Sequence, residues 1–281
     1  MEPIRVRENK LYTKLSMQMF EEIRNALEMH LTFEQCGKMV TNSSYSSITN
    51  RSSQEKYVAF LVNLSRLGSC LSIFSKEVLS QDENDRASRF ISEDLKARFI
   101  IAHAILRVIL AEYLGANPKS FQFYKKAYGK PFLRSPHNVN FNLSHSGDYV
   151  FIGLGCEPLG VDIEVYENDR DYTAIARRVL TALEYSFFDK LEEHEKTWFF
   201  LKMWCFKEAY AKAIGYGLAI ELREIETRHI LDGMNMHGIP IWLRNDSPEK
   251  WVAYPLPQNP VVAGALVIQK SSFGTVTTRE I

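Results

Sequence analysis

The run TWFFLKMWCFKEAYAKAI, Thr197 to Ile214, limits what this chain can fold into more than any other segment. At helical spacing Leu201, Trp204, Cys205, Glu208 and Lys212 fall on one stripe, while Phe199, Met203, Phe206, Tyr210 and Ala213 line the stripe beside it. Such a helix must be largely buried. An exposed Glu–Lys pair four residues apart contributes only ~0.3–0.5 kcal/mol and needs no aromatic surroundings. Charges set into an aromatic face instead call for buried partners, because an unpaired buried charge is costly. Gly215 and Gly217 follow, suited to the left-handed cap that ends a helix.

A second long helix is expected from Ser92 and Asp94 through Leu95, Phe99, Ala102, Leu106, Ile109 and Leu110 to Gly115. Before it, the polar run from Ser80 to Arg89 opens a short helix that ends at Phe90. Between the long helices, Phe121 to Val165 alternates and is punctuated by Gly and Pro, the pattern of strands joined by turns. Tyr172 to Leu180 and Ala182 to Leu191 read as short helices, and Glu221 to Ile268 as short strands and turns. The order helix, strands, helix, strands favours an α+β fold with two similar halves over a wound parallel sheet. Upstream, Leu15, Met19, Ile23, Ala26, Leu27 and Leu31 recur at helical spacing and predict one amphipathic helix. Thr41 to Gln54 has the Ser/Thr/Asn composition of a solvated linker, and Tyr57 to Ile73 reads as short β-prone pieces around Leu67-Gly68. The expected division is an extension and linker over 1–56, a first subdomain over 57–158 and a second over 159–281.

With 281 residues, 46% of them hydrophobic, the chain can bury one large core or two modest ones. Lys+Arg 34 against Asp+Glu 34 gives a net charge of zero, which removes any general case for a nucleic-acid or membrane-surface protein. Cys36, Cys70, Cys156 and Cys205 have neither CxxC nor CxH spacing, so no zinc site or disulfide framework is signalled. The opening MEPIRVRENK lacks the apolar core of a secretory signal. The greasiest stretch, Phe99 to Leu114, is broken by His103, Arg107 and Glu112 and is too short and charged to span a bilayer. A reduced, cytoplasmic protein is expected.

Gly160-Val-Asp-Ile-Glu-Val165 alternates at period two, which on a strand puts Asp162 and Glu164 on one face and Val161, Ile163 and Val165 on the other. Two readings compete: an edge strand with a solvated acidic face, or hard oxygen ligands for Mg2+, which takes a few carboxylates and completes its shell with water and phosphate oxygens. Phe141-Asn-Leu-Ser-His-Ser-Gly147 closes a strand and turns at Ser146-Gly147, presenting Ser144 and His145. With no GxSxG elbow and no orienting acid beside the histidine, serine hydrolysis is unsupported. Donation to a phosphate is the easier role, against a turn histidine bonded to backbone. Tyr128-Gly-Lys-Pro131 is a turn carrying Lys130 as a point charge, with Lys125, Lys126 and Arg134 nearby. Walker-type and GxGxxG patterns are absent from the sequence, so neither device holds a nucleotide here.

Taken in order, GKP, FNLSHSG, GVDIE and WCFKEAYAKAIGYGL resemble the 4'-phosphopantetheinyl transferase superfamily, in particular its larger single-chain group that modifies carrier domains of fatty-acid, polyketide and lysine-pathway enzymes. The resemblance runs from roughly Tyr57 to Ile268. It implies two similar α+β halves related by a pseudo-twofold axis, each a small mainly antiparallel sheet packed with a long helix, with coenzyme A bound between them. It also implies Mg2+ held by Asp162, Glu164 and Glu208, with Lys212 facing the pyrophosphate; some relatives keep only the first and last of these acids. Lys130, Ser144 and His145 match positions that contact coenzyme A phosphates, and Arg86 and Arg98 match basic positions near the adenosine 3'-phosphate. Lys125 stands where some relatives carry arginine.

The implied reaction is that of a holo-[acyl-carrier-protein] synthase. It moves the 4'-phosphopantetheine arm from coenzyme A to a serine of an apo acyl carrier protein, or of a carrier domain of fatty-acid synthase and related multienzymes, and releases adenosine 3',5'-bisphosphate. In that role Glu208 is the candidate base and Lys212 the group that neutralises or protonates the leaving phosphate. Arg177 and Arg178 offer a basic docking patch for an acidic carrier, against a plain solvated helix face. Because one chain completes the site, a monomer is expected. Two rivals stand beside this reading: another Mg2+ enzyme acting on a phosphate ester, and a non-catalytic module that binds coenzyme A or a carrier domain. Asp162, Glu208 and Lys212 together argue against the binder, which needs no metal-facing set.

Overall fold

The computed structural model of the chain describes residues 22–23, 25–34, 39–42, 55–134, 139–167, 170–227, 230, 238–247, 250–257 and 259–270. Strands β1 (Leu27–Glu34), β2 (Met39–Asn42) and β3 (Glu55–Asn63) lead through tight helical turns from Leu64 to Val78 into helices α1 (Gln81–Ala87) and α2 (Glu93–Leu114). Next come β4 (Phe123–Lys125), β5 (Pro131–Leu133), β6 (Asn140–Ser146), β7 (Tyr149–Gly155) and β8 (Leu159–Val165). Helices α3 (Thr173–Val179), α4 (Ala182–Phe188) and α5 (Glu193–Ile214) follow. The described chain closes with β9 (Ile225–Glu226), β10 (Ile239–Pro240), β11 (Trp242–Leu243), β12 (Trp251–Pro255) and β13 (Val262–Gln269).

Strand alternation sorts these elements into layers. The first sheet runs β2-β1-β3-β7-β6 and the second β10-β12-β13-β8, both antiparallel. On β3, Val58, Phe60 and Val62 join the core beneath α2, whereas Tyr57, Ala59 and Leu61 face the other way into a core shared by the two sheets. On β13, Ala263, Ala265 and Val267 pack beneath α5, and Val262, Leu266 and Ile268 enter the shared core. The result is helix, sheet, sheet, helix: an α+β fold of two halves, each an antiparallel sheet covered by a helix of 22 residues. Both long helices end as their glycines predict, with Gly115 at φ 64° and Gly215 at φ 84° capping them in the left-handed region. No helix among the described residues is long and apolar enough to cross a membrane.

Four expectations are corrected. The amphipathic helix read through Leu27 and Leu31 is instead a strand from Leu27 onward, with β1 paired to β3 at Leu31↔Ala59 and Phe33↔Tyr57. Leu27-Glu-Met-His-Leu-Thr-Phe-Glu34 alternates strictly, and residues four apart satisfy both the helical and the strand period, so the spacing alone misled. The rest of that expectation, at Leu15 and Met19, lies outside the described residues, and of the linker expected over Thr41 to Gln54 the first two residues are instead the end of β2 while 43–54 lie outside them. From Leu64 to Ile73 the β-prone pieces are helical turns, started by the Asn63 side chain accepting from the Ser65 amide. Finally, α5 begins at Glu193, a turn before Thr197, because Glu192 and Glu195 form a reciprocal cap that apolar periodicity does not reveal.

Candidate active site

The seam between the two sheets is where β8 lies against both β6 and α5. One edge of β8 pairs with β13; along the other, β6 replaces main-chain pairing with side chains. Asn142 Oδ1 accepts from the Val161 amide at 2.8 Å, and Ser146 Oγ accepts from the Val165 amide at 3.1 Å. Alternation puts Asn142, Ser144 and Ser146 on one face of β6, and they meet β8 rung by rung. On its α5 side β8 carries Gly160, where a Cβ would collide with the Ala209 carbonyl and the Ala213 amide. The missing side chain is what lets the acidic strand approach the helix.

That approach buries the acids. Asp162 is only 3% exposed and Glu208 8%. Lys212 Nζ donates to Asp162 Oδ1 at 2.6 Å and to Ser144 Oγ at 2.9 Å, and Ser144 Oγ in turn donates to Asp162 Oδ1 at 2.8 Å. Lys212 thus pairs across the seam with Asp162 and not along its own helix with Glu208. Asp162 Oδ2 and Glu208 Oε1 are buried with no hydrogen-bond partner. Burial, reinforced by the nearby Asp162 charge, pushes the Glu208 carboxyl up from 4.5 to about 7, against the pull of Lys212. Half-buried Glu164 is raised by the same two causes in the same order, and its bond from Ser146 Oγ at 2.9 Å opposes them.

Lys207, next to Glu208, points away into the second core and fixes the rotation of α5. It is fully buried, pairs with Glu184 of α4 at 3.0 Å, and donates to the carbonyls of Leu222 at 3.1 Å and Ile225 at 2.7 Å. The Thr227 hydroxyl donates to the other Glu184 oxygen, so the buried pair is hydrogen-bonded throughout.

The remaining expected residues separate into two neighbourhoods. His145 is exposed beside Ser144, and its imidazole is held below its ordinary value first by partial desolvation and then by the positive charges of Lys212 and Arg98. Arg98 bridges Asp94 at 3.2 Å and Asp148 at 3.0 Å, and Arg86 lies 4.9 Å over the Phe99 ring. Phe99 also contacts His103 at 4.1 Å, and burial, more than the charges of Arg86 and His145, holds that histidine down at about 4. Lys130 is drawn elsewhere: its Nζ donates to the Leu159 and Ala213 carbonyls at 2.9 and 3.0 Å, tying the GKP turn to β8 and to the end of α5. Burial and then Lys126 lower its amine to about 8. Lys125 is exposed at the end of β4, and Arg177 and Arg178 are exposed in the last turn of α3. Asn142 and Ser146 were not singled out from the sequence, although the period-two set Asn142, Ser144, Ser146 carries the signal.

Among the described residues no group of three or more His, Cys, Asp and Glu side chains gathers to hold a metal by itself. The donors that are present nevertheless fit Mg2+, which usually takes one or two carboxylates and leaves its other positions to water and substrate phosphate. Two buried, partnerless carboxylate oxygens beside a lysine amine are such a donor set.

Taken together, fold and site define a two-halved α+β protein with an acid and amine cluster, suited to phosphate, at the seam of its halves. Residues 158–265 match the 4'-phosphopantetheinyl transferase superfamily, and residues 69–156 match the 4'-phosphopantetheinyl transferase N-terminal family. The chain is 31% identical over 175 residues to the 4'-phosphopantetheinyl transferase ffp of Bacillus subtilis, covering 57% of this chain and 76% of that protein. It is 36% identical over 152 residues to the 4'-phosphopantetheinyl transferase HetI of Nostoc sp., covering 53% of this chain and 64% of that one, so it spans less than two thirds of that relative's length. A putative 4'-phosphopantetheinyl transferase of Synechocystis sp. is 34% identical over 151 residues, covering 53% of this chain and 61% of that relative. The chain belongs to the 4'-phosphopantetheinyl transferase superfamily.

Proposed function

We propose that this protein transfers the 4'-phosphopantetheine arm of coenzyme A to a serine hydroxyl of an apo acyl carrier protein or carrier domain. The observation that carries the proposal is the pair of buried, partnerless oxygens on Asp162 and Glu208 beside the Lys212 amine, at the seam of the two halves. In the transfer, the carrier serine Oγ attacks the β-phosphorus of the pyrophosphate and the bond to the bridging oxygen breaks. Adenosine 3',5'-bisphosphate leaves with the electron pair. Mg2+, held through Asp162 and Glu208 with Glu164 nearby, would supply charge neutralisation for the pyrophosphate.

The side chains do the rest. Glu208 accepts the serine proton, directly or through a water, as the buried carboxylate at the seam whose position faces the substrate hydroxyl in this proposal. Lys212 donates to the departing phosphate, exchanging Asp162 and Ser144 for it in part. In this proposal His145, Ser144 and Lys130 serve the coenzyme A phosphates, Lys130 from its tie to β8, and Arg86 and Arg98 serve the 3'-phosphate. The exposed Arg177 and Arg178, beside exposed Ile175 and Leu183, form a basic and apolar docking face for an acidic carrier. In this proposal the transferase subdomains run over 57–158 and from 159 onward, and the extension expected over 1–56 adds β1 and β2 to the edge of the first subdomain's sheet.

The direct test is intact-mass spectrometry of an apo acyl carrier protein incubated with this chain, coenzyme A and Mg2+, with an EDTA control. A metal-dependent gain of about 340 Da on one serine is the expected result. Folded protein that binds coenzyme A yet modifies no carrier would overturn transfer in favour of binding. The working species is proposed to be a cytoplasmic monomer, since both halves of the seam come from one chain. Sedimentation should then give a single species of chain mass, and a stable dimer at assay concentration would contradict it.

A further inference from the structure

We propose that the cavity between α5, α4 and the turn joining β12 to β13 binds a long-chain carboxylate, a free fatty acid, with the Lys202 amine holding its head group. The site is separate from the seam and does not depend on the transfer reaction.

The cavity has a volume of about 1130 Å³, slightly above the ~300–1,000 Å³ of ordinary small-molecule pockets. Helical period builds one wall: Phe199, Lys202 and Phe206 of α5 share a stripe that faces it, away from the stripe of Glu208 and Lys212. The opposite wall is Leu256 and the start of β13, and β8 lies one strand nearer the seam. At the mouth Phe187 of α4 is 43% exposed and stacks on Phe199 at 5.2 Å, so an aromatic surface stands open to solvent. Charge then narrows the ligand. Of the four lysines of α5, Lys196, Lys207 and Lys212 each pair with an acid, at 3.0, 3.0 and 2.6 Å. Among the described residues Lys202 has no acid partner and donates no hydrogen bond. It is half-buried, and burial alone holds its amine below the ordinary lysine value, with no carboxylate pulling it back up. Glu195, the one acid on the cavity's wall, is engaged in the cap of α5, where it accepts the Glu192 amide at 3.2 Å. One unpaired cation in an otherwise apolar cavity calls for one anion on an apolar body. An aliphatic chain ending in a carboxylate meets both demands, whereas a nucleotide or phosphate ester brings more negative charge than a single amine can match and leaves the aromatic wall bare.

The test is calorimetric titration of the full chain near neutral pH with octanoate, decanoate and dodecanoate, each below its micelle concentration, and with dodecanol. Affinity should rise by about tenfold for each two carbons added, as burial of methylenes requires. Dodecanoate should bind about tenfold or more tightly than dodecanol, which offers the amine no charge. Lys202→Met should abolish that preference while leaving dodecanol binding within about twofold of wild type, which also shows that the cavity is still formed; Lys202→Arg should keep the preference. Saturating coenzyme A should not displace dodecanoate. Equal binding of acid and alcohol overturns the proposal, and so does a preference that survives Lys202→Met, which puts the carboxylate elsewhere. Displacement by coenzyme A overturns it by placing the chain at the seam. Binding of neither dodecanoate nor dodecanol overturns it as well and leaves the cavity to an apolar segment of protein. Because transfer is not the readout, a failure here leaves the transferase reading standing, and a failure of that reading leaves this site standing.

Discussion

Glu208→Gln is expected to lose transfer and gain stability in the same variant. Removing a general base typically lowers turnover by about 10²–10⁴-fold, and the amide cannot take the serine proton. The stability change follows from the raised carboxyl, ordinarily at 4.5 and here at about 7. Below the lower value folded and unfolded chains both hold the proton and the site costs nothing. As pH rises from 4.5 to about 7 the unfolded chain releases the proton and the folded one keeps it, so stability falls through that window. Above it both are ionised and the full cost persists, about 3 kcal/mol for a shift of this size at a buried group. The glutamine variant carries no such cost. Urea unfolding in EDTA should therefore find it more stable than wild type at about pH 8 and nearly equal at about pH 4.5. Turnover near the wild-type rate would remove Glu208 from the mechanism, and a stability difference independent of pH would remove the buried carboxylate as its cause.

Most of the candidate site's placement was legible because it follows from strand and helix period. Asp162 and Glu164 share a face of β8, and Glu208 and Lys212 share a stripe of α5, as alternation and helical spacing require. What the period could not supply was partnership. An i,i+4 Glu–Lys pair was the obvious local pairing, yet Lys212 reaches across the seam to Asp162, a contact between residues 50 apart. Ser144 and His145 were read together because they are neighbours in sequence. On a strand, neighbours face opposite ways: Ser144 is buried against Asp162, and His145 is exposed. Lys130 looked like a loop charge, and its use as a tie between β8 and α5 depends on where two carbonyls end up, which no local pattern encodes. The same limit explains β1. Its alternation was present in the text, but only pairing with β3 decides between two periods that Leu27 and Leu31 satisfy equally.

Gly160→Ala should be the most destructive small substitution in the second half, because it acts on the contact that builds the site. The added methyl would meet the Ala209 carbonyl and the Ala213 amide and Cα, all backbone, so no side chain can rotate out of its way. Either β8 retreats from α5 or the helix shifts. In both cases Asp162 loses its place against Lys212, and the shared core around Val161, Ile163 and Leu266 opens. Overpacking of an ordinary core costs about 1–3 kcal/mol, and a backbone collision belongs at or above the top of that range. The expected result is a loss of about 3 kcal/mol or more in urea unfolding together with loss of transfer. Gly68→Ala is the matched control: nothing lies within 4 Å of a Cβ there, so stability should hold or rise slightly as the unfolded chain loses freedom. If Gly160→Ala unfolds at the wild-type midpoint, the tight approach of β8 to α5 is wrong. The account of how the acids become buried would go with it, since that approach helps take Asp162 and Glu208 out of water and leaves one buried oxygen on each without a partner.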